Sequence, residues 1–223
     1  MFTSIARRYD LLNHVLSLNV DRRWRSALVG AALAGEPSDV LDVATGTGDV
    51  AIEFARRSST AAITGLDPAR GMLDVGREKL ERMGLSKRVQ LMEGDALCLP
   101  FDDGSFDVVT IAFGLRNLPD YQVGVNEMAR VLRPGGHLLV LEFFPPKGGL
   151  FLKGYRLYLG RVLPIAGRII SGSNEAYQYL ASSIENFVSH EGMRRLCDES
   201  GLVDVSARRL TGGISWIYSA TRR

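Results

Sequence analysis

Short apolar runs alternate with helical segments between residues 38 and 142, and this alternation restricts the chain to an α/β fold. Five runs have the length of buried strands: Val40–Val43, Ala61–Leu66, Val89–Met92, Phe106–Ala112 and His137–Glu142. Three intervening segments have apolar residues at helical spacing: about Asp49–Arg57, Ala69–Met83 and Gln122–Leu132. Because the connections are short, we predict a mostly parallel, Rossmann-like sheet with helices on both faces.

The two ends of the chain depart from this alternation. Helices are predicted over about Thr3–Trp24 and Arg22–Leu33 at the N-terminal end. At the C-terminal end, helices are predicted at about 174–186 and 189–200, and strands at about 203–209 and 214–221. We therefore expect one domain over residues 1–223, with a seven-stranded sheet. Residues 1–35 would cover the site, and residues 143–186 would form a helical insertion before the last two strands.

Composition limits the cellular setting more than the function. The formal charge of +2 is too small to suggest a nucleic-acid partner. No apolar run approaches the roughly 18 residues that a membrane span needs, and the N-terminus lacks the apolar core of a signal peptide. Cys98 and Cys197 lie far apart, so we expect no metal site. A cytoplasmic protein, soluble or peripheral on the inner face of a membrane, is the expectation.

A glycine-rich turn and three acidic residues predict a nucleoside site at the carboxyl edge of the sheet. Glycine at a junction between strand and helix lets backbone amides approach a ligand closely. Asp67 follows the second strand 21 residues after Gly46 (67 − 46), a spacing suited to a carboxylate that binds ribose hydroxyls. Asp95 follows the third strand and is placed to accept from an adenine amino group. The predicted cofactor-binding residues are Asp42, Gly46, Thr47, Gly48, Asp67, Asp95 and Ala96.

The identity of the nucleoside depends on charge. Ala51 satisfies the relaxed third position of a dinucleotide fingerprint, so an NAD-dependent oxidoreductase is one alternative. Asp49, however, stands where a pyrophosphate would bind, and two anions about 4 Å apart repel by roughly 4 kcal/mol. A rim of Asp42, Asp49, Asp67 and Asp95 favours the cationic S-adenosylmethionine. Capping residues on an ordinary turn, or a cofactor-binding protein without catalysis, are the remaining alternatives.

Six further stretches carry a family resemblance. Leu99–Asp107 and Arg130–Leu138 resemble class I methyltransferases in general. Four others resemble the ubiquinone/menaquinone biosynthesis C-methyltransferases, also called demethylmenaquinone methyltransferases: Tyr9–Ser17 with Trp24, Ala112–Asn117, Leu141–Phe143, and Asn174–Leu180 with Ser183 and Ile184. The resemblance covers Phe2 to about Gly213. Family members often have histidine at Asp21 and lysine at Arg133, and usually serine at Ala112 and Phe144, so a same-fold methyltransferase for another aromatic or polyketide is the alternative.

This resemblance implies S-adenosylmethionine-dependent C-methylation of a prenylated quinol, demethylmenaquinol to menaquinol or its ubiquinone counterpart. The reduced ring attacks only after its hydroxyl loses a proton, so the phenolate needs a base or a cationic partner. We expect Arg116 to stabilise the phenolate, Asn117 to orient it and Tyr9 to bond the second quinol oxygen. Tyr9 and Asp10 as a packing and capping pair, or Arg116 in a surface ion pair, are the alternatives. His14 shares a helix face with Asp10 and is a secondary candidate for the base.

Residues 143–174 contain no acidic side chain and carry five basic residues among apolar ones: Lys147, Lys153, Arg156, Arg161 and Arg168. This mixture suits an anionic lipid surface, where a prenylated substrate resides. We therefore expect this segment to bind the quinol tail and the membrane surface. A lid subdomain or a homodimer contact with a solvated basic face is the alternative interpretation.

Overall fold

A computed structural model describes residues 17, 19–144, 182–184 and 186–223 of the chain. Seven strands form one sheet: β1 Asp39–Val43, β2 Ala62–Asp67, β3 Val89–Glu93, β4 Phe106–Ala112, β5 Leu132–Phe143, β6 Leu202–Leu210 and β7 Ser215–Arg222. Their order is β3-β2-β1-β4-β5-β7-β6. Neighbouring strands among β1 to β5 pair in parallel, and β7 runs antiparallel to both β5 and β6. The predicted mostly parallel, seven-stranded sheet is confirmed.

Helices cover both faces of this sheet. The described helices are α1 Val20–Ala32, α2 Asp49–Arg57, α3 Arg70–Arg82, α4 Tyr121–Val131 and α5 His190–Glu199. One apolar cluster joins the sheet to α1, α2 and α3, with Leu28, Phe54 and Leu73 fully buried. A second cluster joins the opposite face to α4 and α5 through Met128 and Met193. The strand order reverses between β1 and β4, so the carboxyl ends of these strands open the crevice where such folds bind ligands.

The first described helix begins earlier than its sequence pattern suggested. Asn19 adopts a left-handed conformation with φ 60°, and the N–H of Val20 bonds to the carbonyl of Ser17. A left-handed residue ends any regular right-handed helix that precedes it. The prediction of one helix through Trp24 is therefore wrong at this end, and Trp24 belongs to α1.

Strand β5 also begins earlier than predicted. Pro134, Gly135 and Gly136 were expected to separate a helix from a strand starting at His137, yet β5 begins at Leu132. Leu132 pairs with Phe106, and the register shifts before His137 pairs with Val108. Gly135, with φ 81°, accommodates this irregularity. The proline and glycines thus lie in a bulged strand end.

Several predictions fall outside the described residues. Tyr9, Asp10 and His14 are among them. So are nearly all residues of the basic segment 143–174 and most residues of the helix expected over 174–186. None of the helices within the described ranges is long and apolar enough to cross a membrane.

Candidate cofactor and substrate site

The turn after β1 forms the base of the site. Gly46 and Gly48 have positive φ values of 59° and 79°, and Gly48 precedes the first residue of α2. The N–H of Thr45 donates to the carbonyl of Leu66 at 3.0 Å, which ties the turn to β2. Left-handed conformations at both glycines let the backbone curve tightly around a ligand without a Cβ clash.

Asp67 links this turn to the end of β2. Its Oδ2 accepts from the N–H of Gly46 at 2.8 Å, and its Oδ1 accepts from the N–H of Ala69 at 2.8 Å. Burial raises the pKa of Asp67, and the two backbone N–H donors oppose that rise. A carboxylate has about four acceptor sites, so both oxygens can still bond ribose hydroxyls. The predicted proximity of Asp67 to the turn is therefore present.

Asp42 lies beneath the turn rather than on its rim. The residue is 1% exposed, and its two oxygens accept from the hydroxyls of Thr45 at 2.6 Å and Thr110 at 2.8 Å. Burial raises its pKa to about 7, although these two hydroxyls lower it. The expectation of a rim residue is corrected, because this side chain is buried and both of its oxygens accept from hydroxyls, one on the turn and one on β4. Asp42 connects β1, β4 and the turn.

Asp49 does not stand at the helix start as an isolated anion. Its Oδ1 accepts from Lys79 Nζ at 2.7 Å, and its Oδ2 lies 3.7 Å from Arg25 Nη1. Lys79 also donates to the hydroxyl of Thr47 at 2.8 Å. Two cations therefore offset the charge that was expected to repel a pyrophosphate. The expectation that Asp49 repels a pyrophosphate is therefore corrected, and the charge of this residue does not exclude a dinucleotide.

Asp95 and Ala96 follow β3 at the same edge. Asp95 is exposed and its Oδ1 accepts from the N–H of Leu97 at 2.9 Å, while Ala96 is 4% exposed. The N–H of Gly94 donates to the carbonyl of Asp67 at 3.3 Å, which brings the ends of β2 and β3 together. The structure thus groups Asp67 and Asp95 along one edge, as predicted.

The turn after β4 contacts the glycine-rich turn directly. A Cβ built on Gly114 would lie 2.6 Å from the Cβ of Ala44, closer than real Cβ atoms approach. Phe113 has φ 58°, an uncommon conformation for a bulky residue. Arg116 Nη1 donates to the carbonyl of Phe113 at 2.8 Å, and Asn117 Nδ2 donates to it at 3.2 Å. Arg116 and Asn117 therefore hold a strained turn beside the cofactor turn.

Arg116 also forms a buried ion pair, with Glu142, that was not predicted from the sequence. Its Nη1 lies 2.5 Å from Oε1 of Glu142, and the two side chains are 7% and 0% exposed. The expected alternative for Arg116 was a surface ion pair, and the burial of this pair excludes that alternative. An acidic residue at the end of a buried apolar strand was the available signal for Glu142, since carboxylates are seldom buried without a partner.

Aromatic side chains line the edge beside this ion pair. The rings of Phe113 and Phe143 stack with centroids 4.6 Å apart. The ring centroid of Trp24 lies 6.0 Å from that of Phe113 and 5.7 Å from that of Phe143. The Arg116 guanidinium lies 5.3 Å from the Phe143 ring centroid, and that of Arg25 lies 5.8 Å from the Phe113 ring centroid. The ends of β4 and β5 thus offer an aromatic surface next to the cofactor turn.

Comparison with known proteins gives the family. The profile of the ubiE/COQ5 methyltransferase family matches residues 1–222. The chain is 50% identical over 223 residues to the demethylmenaquinone methyltransferase of Deinococcus radiodurans, covering all of this chain and 91% of the relative. It is 47% identical over 222 residues to the enzyme of that name from Thermus thermophilus, with both chains fully covered. The Geobacter sulfurreducens ubiquinone/menaquinone biosynthesis C-methyltransferase UbiE is 44% identical over 223 residues, which cover this chain and 87% of the relative.

Solved structures support the fold independently. The crystal structure of a putative S-adenosyl-L-methionine-dependent methyltransferase from Methanococcus maripaludis superposes with a TM-score of 0.69 at 17% identity. The superposition covers 99% of this chain and 93% of the Methanococcus maripaludis chain. A SAM-dependent methyltransferase from Aquifex aeolicus gives a TM-score of 0.61 at 18% identity, over 83% and 82% of the two chains. The class I methyltransferase fold that the resemblance implied is confirmed.

The family match also confirms the predicted enzyme class, a methyltransferase that uses S-adenosylmethionine. It reaches from one end of the chain to the other, so it includes both the glycine-rich turn and the turn after β4. The chain belongs to the ubiE/COQ5 methyltransferase family.

Proposed function

We propose that this chain methylates a ring carbon of a prenylated quinol, converting demethylmenaquinol to menaquinol or carrying out the corresponding benzoquinol step. The relatives named above are demethylmenaquinone or ubiquinone/menaquinone methyltransferases. One structural observation carries the proposal: the turn of Arg116 and Asn117 abuts the cofactor turn through Gly114 and Ala44. A substrate held by the first turn therefore lies next to a ligand held by the second.

The residues at the cofactor turn fit S-adenosylmethionine. Gly46 and Gly48 leave the space that side chains would fill, and Asp67 presents a buried carboxylate at the strand end. We assign Asp67 to the ribose hydroxyls and Asp95 with Ala96 to the adenine. Thr47 and Asp42 support the turn, Asp42 from below through Thr45. When bound, S-adenosylmethionine supplies an electrophilic methyl group on a sulfonium.

Arg116 and Asn117 act on the acceptor ring. A quinol ring carbon becomes nucleophilic when the neighbouring hydroxyl loses its proton, and a nearby guanidinium lowers the pKa of that phenol. Arg116 is too basic to accept the proton, so water takes it. A bond forms between the ring carbon and the methyl group as the bond to sulfur breaks, and the hydrogen on that carbon leaves as a proton to restore the aromatic ring. The oxidised quinone is an electrophile and does not react.

Holding the ring in line with the methyl group supplies the rest of the catalysis, an orientation effect worth several kcal/mol. Asn117 orients the phenolate in this proposal. The stacked Phe113 and Phe143 rings cover one face of each other and make the edge beside Arg116 apolar. Tyr9 is assigned to the second quinol oxygen on the basis of its family motif.

A methyl-transfer assay with labelled S-adenosylmethionine tests the proposal. Chemically reduced demethylmenaquinol is expected to take up label under anaerobic conditions, and the oxidised quinone is the control. Reduced demethylated benzoquinol with the same prenyl tail, assayed in parallel, distinguishes the two quinol classes. Incorporation into the oxidised quinone at the same rate, or into neither reduced quinol, would contradict the proposed function.

We also propose that the basic, acid-free segment 143–174 contacts the membrane surface that contains the substrate tail. Five lysine and arginine residues among apolar side chains support this, since each basic residue near an anionic surface contributes about 1 kcal/mol. Co-sedimentation with vesicles containing phosphatidylglycerol is expected at low salt and weakens as salt rises. Neutral vesicles are the control. A homodimer in solution with no vesicle binding would instead favour the interpretation as a dimer contact.

A further inference from the structure

Glu142 has no role in the mechanism proposed above, although it is one of the most enclosed charged groups among the described residues. Its Oε1 accepts from Arg116 Nη1 at 2.5 Å and from the N–H of Phe143 at 2.8 Å, and its Oε2 accepts from the N–H of Arg116 at 3.4 Å. Glu142 is 0% exposed. Burying a charge is costly unless it is paired and hydrogen-bonded. This arrangement satisfies both conditions at the end of β5.

Arg116 retains an unused donor within this arrangement. Its Nη1 bonds both Glu142 and the carbonyl of Phe113. Its Nε–H is buried, and no group in the described part of the chain accepts from it. A buried donor without an acceptor is uncommon and calls for an explanation such as a ligand. The Nε–H is therefore available to an oxygen on the substrate.

We propose that Glu142 is a positioning residue for methyl transfer, which fixes the guanidinium of Arg116 so that its Nε–H meets the substrate hydroxyl. Its negative charge also offsets part of the positive charge that acts on the phenol. The inference rests on the function proposed above. Glu142 is not the proton acceptor here, because both oxygens already accept hydrogen bonds from Arg116 and Phe143.

Among the described residues, charged or titratable groups contact Glu142 directly or lie on the helices α1 and α5. Arg116 is the cation in direct contact. Arg25 and Asp21 on α1 pair with each other beside the aromatic surface. His190 on α5 stacks on Phe144, two residues after Glu142. Burial raises the pKa of Glu142, and the charge of Arg116 opposes that rise.

The test compares the pH dependence of kcat in the full-length wild type, Glu142→Gln and Glu142→Asp. The rate rises with pH as the phenol ionises. In Glu142→Gln the charge of Arg116 is no longer offset. The rising limb of the curve of kcat against pH is therefore expected to shift about one pH unit to lower pH, and the plateau of that curve is expected to fall about tenfold. In Glu142→Asp the charge remains but the reach is shorter, so the plateau falls about tenfold and the limb stays in place. The Kd for S-adenosylhomocysteine stays within about threefold in both.

A purely structural role lowers kcat equally at every pH, so an unmoved limb in Glu142→Gln would overturn the inference. If that variant does not fold, Glu142→Asp decides: wild-type kcat there would also overturn it. Asp107→Asn removes a carboxylate that pairs with Arg133 at 2.6 Å near the opposite end of β4, and this control is expected to keep the wild-type kcat and limb. Lack of methyl transfer by the wild type itself marks failure of the proposed function, and the inference then falls with it.

Discussion

Asp42 shows how a single residue at the base of the site links protonation to folding. Because its folded pKa of about 7 is higher than the usual 3.8, its contribution to stability is complete below about pH 4 and is lost as the pH rises through 7. Asp42→Asn lacks this dependence. The unfolding free energy of the wild type relative to Asp42→Asn is therefore expected to fall by about 4 kcal/mol between pH 4 and pH 8.

Urea unfolding at several pH values measures this difference. Asp107→Asn provides a control of opposite sign. Burial raises the pKa of Asp107, but the hydrogen bonds that it accepts, with that from Arg133 the strongest, outweigh this effect, so its pKa lies below the usual value. The advantage of the wild type over Asp107→Asn is then lost as the pH falls into the acid range. Parallel curves for the wild type and Asp42→Asn would show that the pKa of Asp42 is the same in the folded and unfolded states, contrary to the raised value.

Among the proposed cofactor-binding residues, Asp67 is the one whose substitution is expected to weaken cofactor binding most. In Asp67→Asn the charge-assisted hydrogen bonds to the ribose are lost, and the amide group meets the N–H of either Gly46 or Ala69. The Kd for S-adenosylhomocysteine, measured by calorimetry, is expected to rise about 10- to 100-fold. Asp74→Asn, on the exposed face of α3, is the matched control and keeps the wild-type Kd. An unchanged Kd in Asp67→Asn would remove this residue from the site.

At the scale of elements, periodicity predicted the central sheet well and its irregular junctions poorly. Strand β4 and helix α2 have the predicted bounds, because their apolar spacing reflects burial on defined faces. The starts of α1 and β5 depend on a left-handed Asn19 and on a bulge at Gly135, which periodicity does not encode. In the site, the proximity of Asp67 to the turn followed from topology. The Arg116–Glu142 pair did not, because it joins the ends of two strands through side-chain geometry.

The contact between the two turns gives an element-scale prediction. Gly114→Ala places a Cβ where only 2.6 Å separates it from the Cβ of Ala44, so the turns must move apart. Stability is expected to fall by about 1–3 kcal/mol, with kcat reduced more than cofactor affinity because the substrate turn moves. Gly35→Ala is the control, since no atom lies within 4 Å of its added Cβ. Wild-type stability and kcat in Gly114→Ala would show that this contact does not set the site geometry.

For the molecule as a whole, the site is assembled from the ends of β1, β2, β3, β4 and β5, so a bound ligand holds several elements together. At 100 times its Kd, S-adenosylhomocysteine is expected to stabilise the fold by about 2.7 kcal/mol. For a chain of this length that raises the Tm by about 5–10 °C. NAD⁺ at the same concentration is the informative comparison, because Lys79 and Arg25 pair with Asp49, so that this residue does not repel a pyrophosphate as an isolated anion. Both ligands carry an adenosine ribose that Asp67 can bind, so selectivity for the adenosyl amino acid must come from the shape of the edge around the rest of the ligand. An equal Tm rise with NAD⁺ would contradict such selectivity.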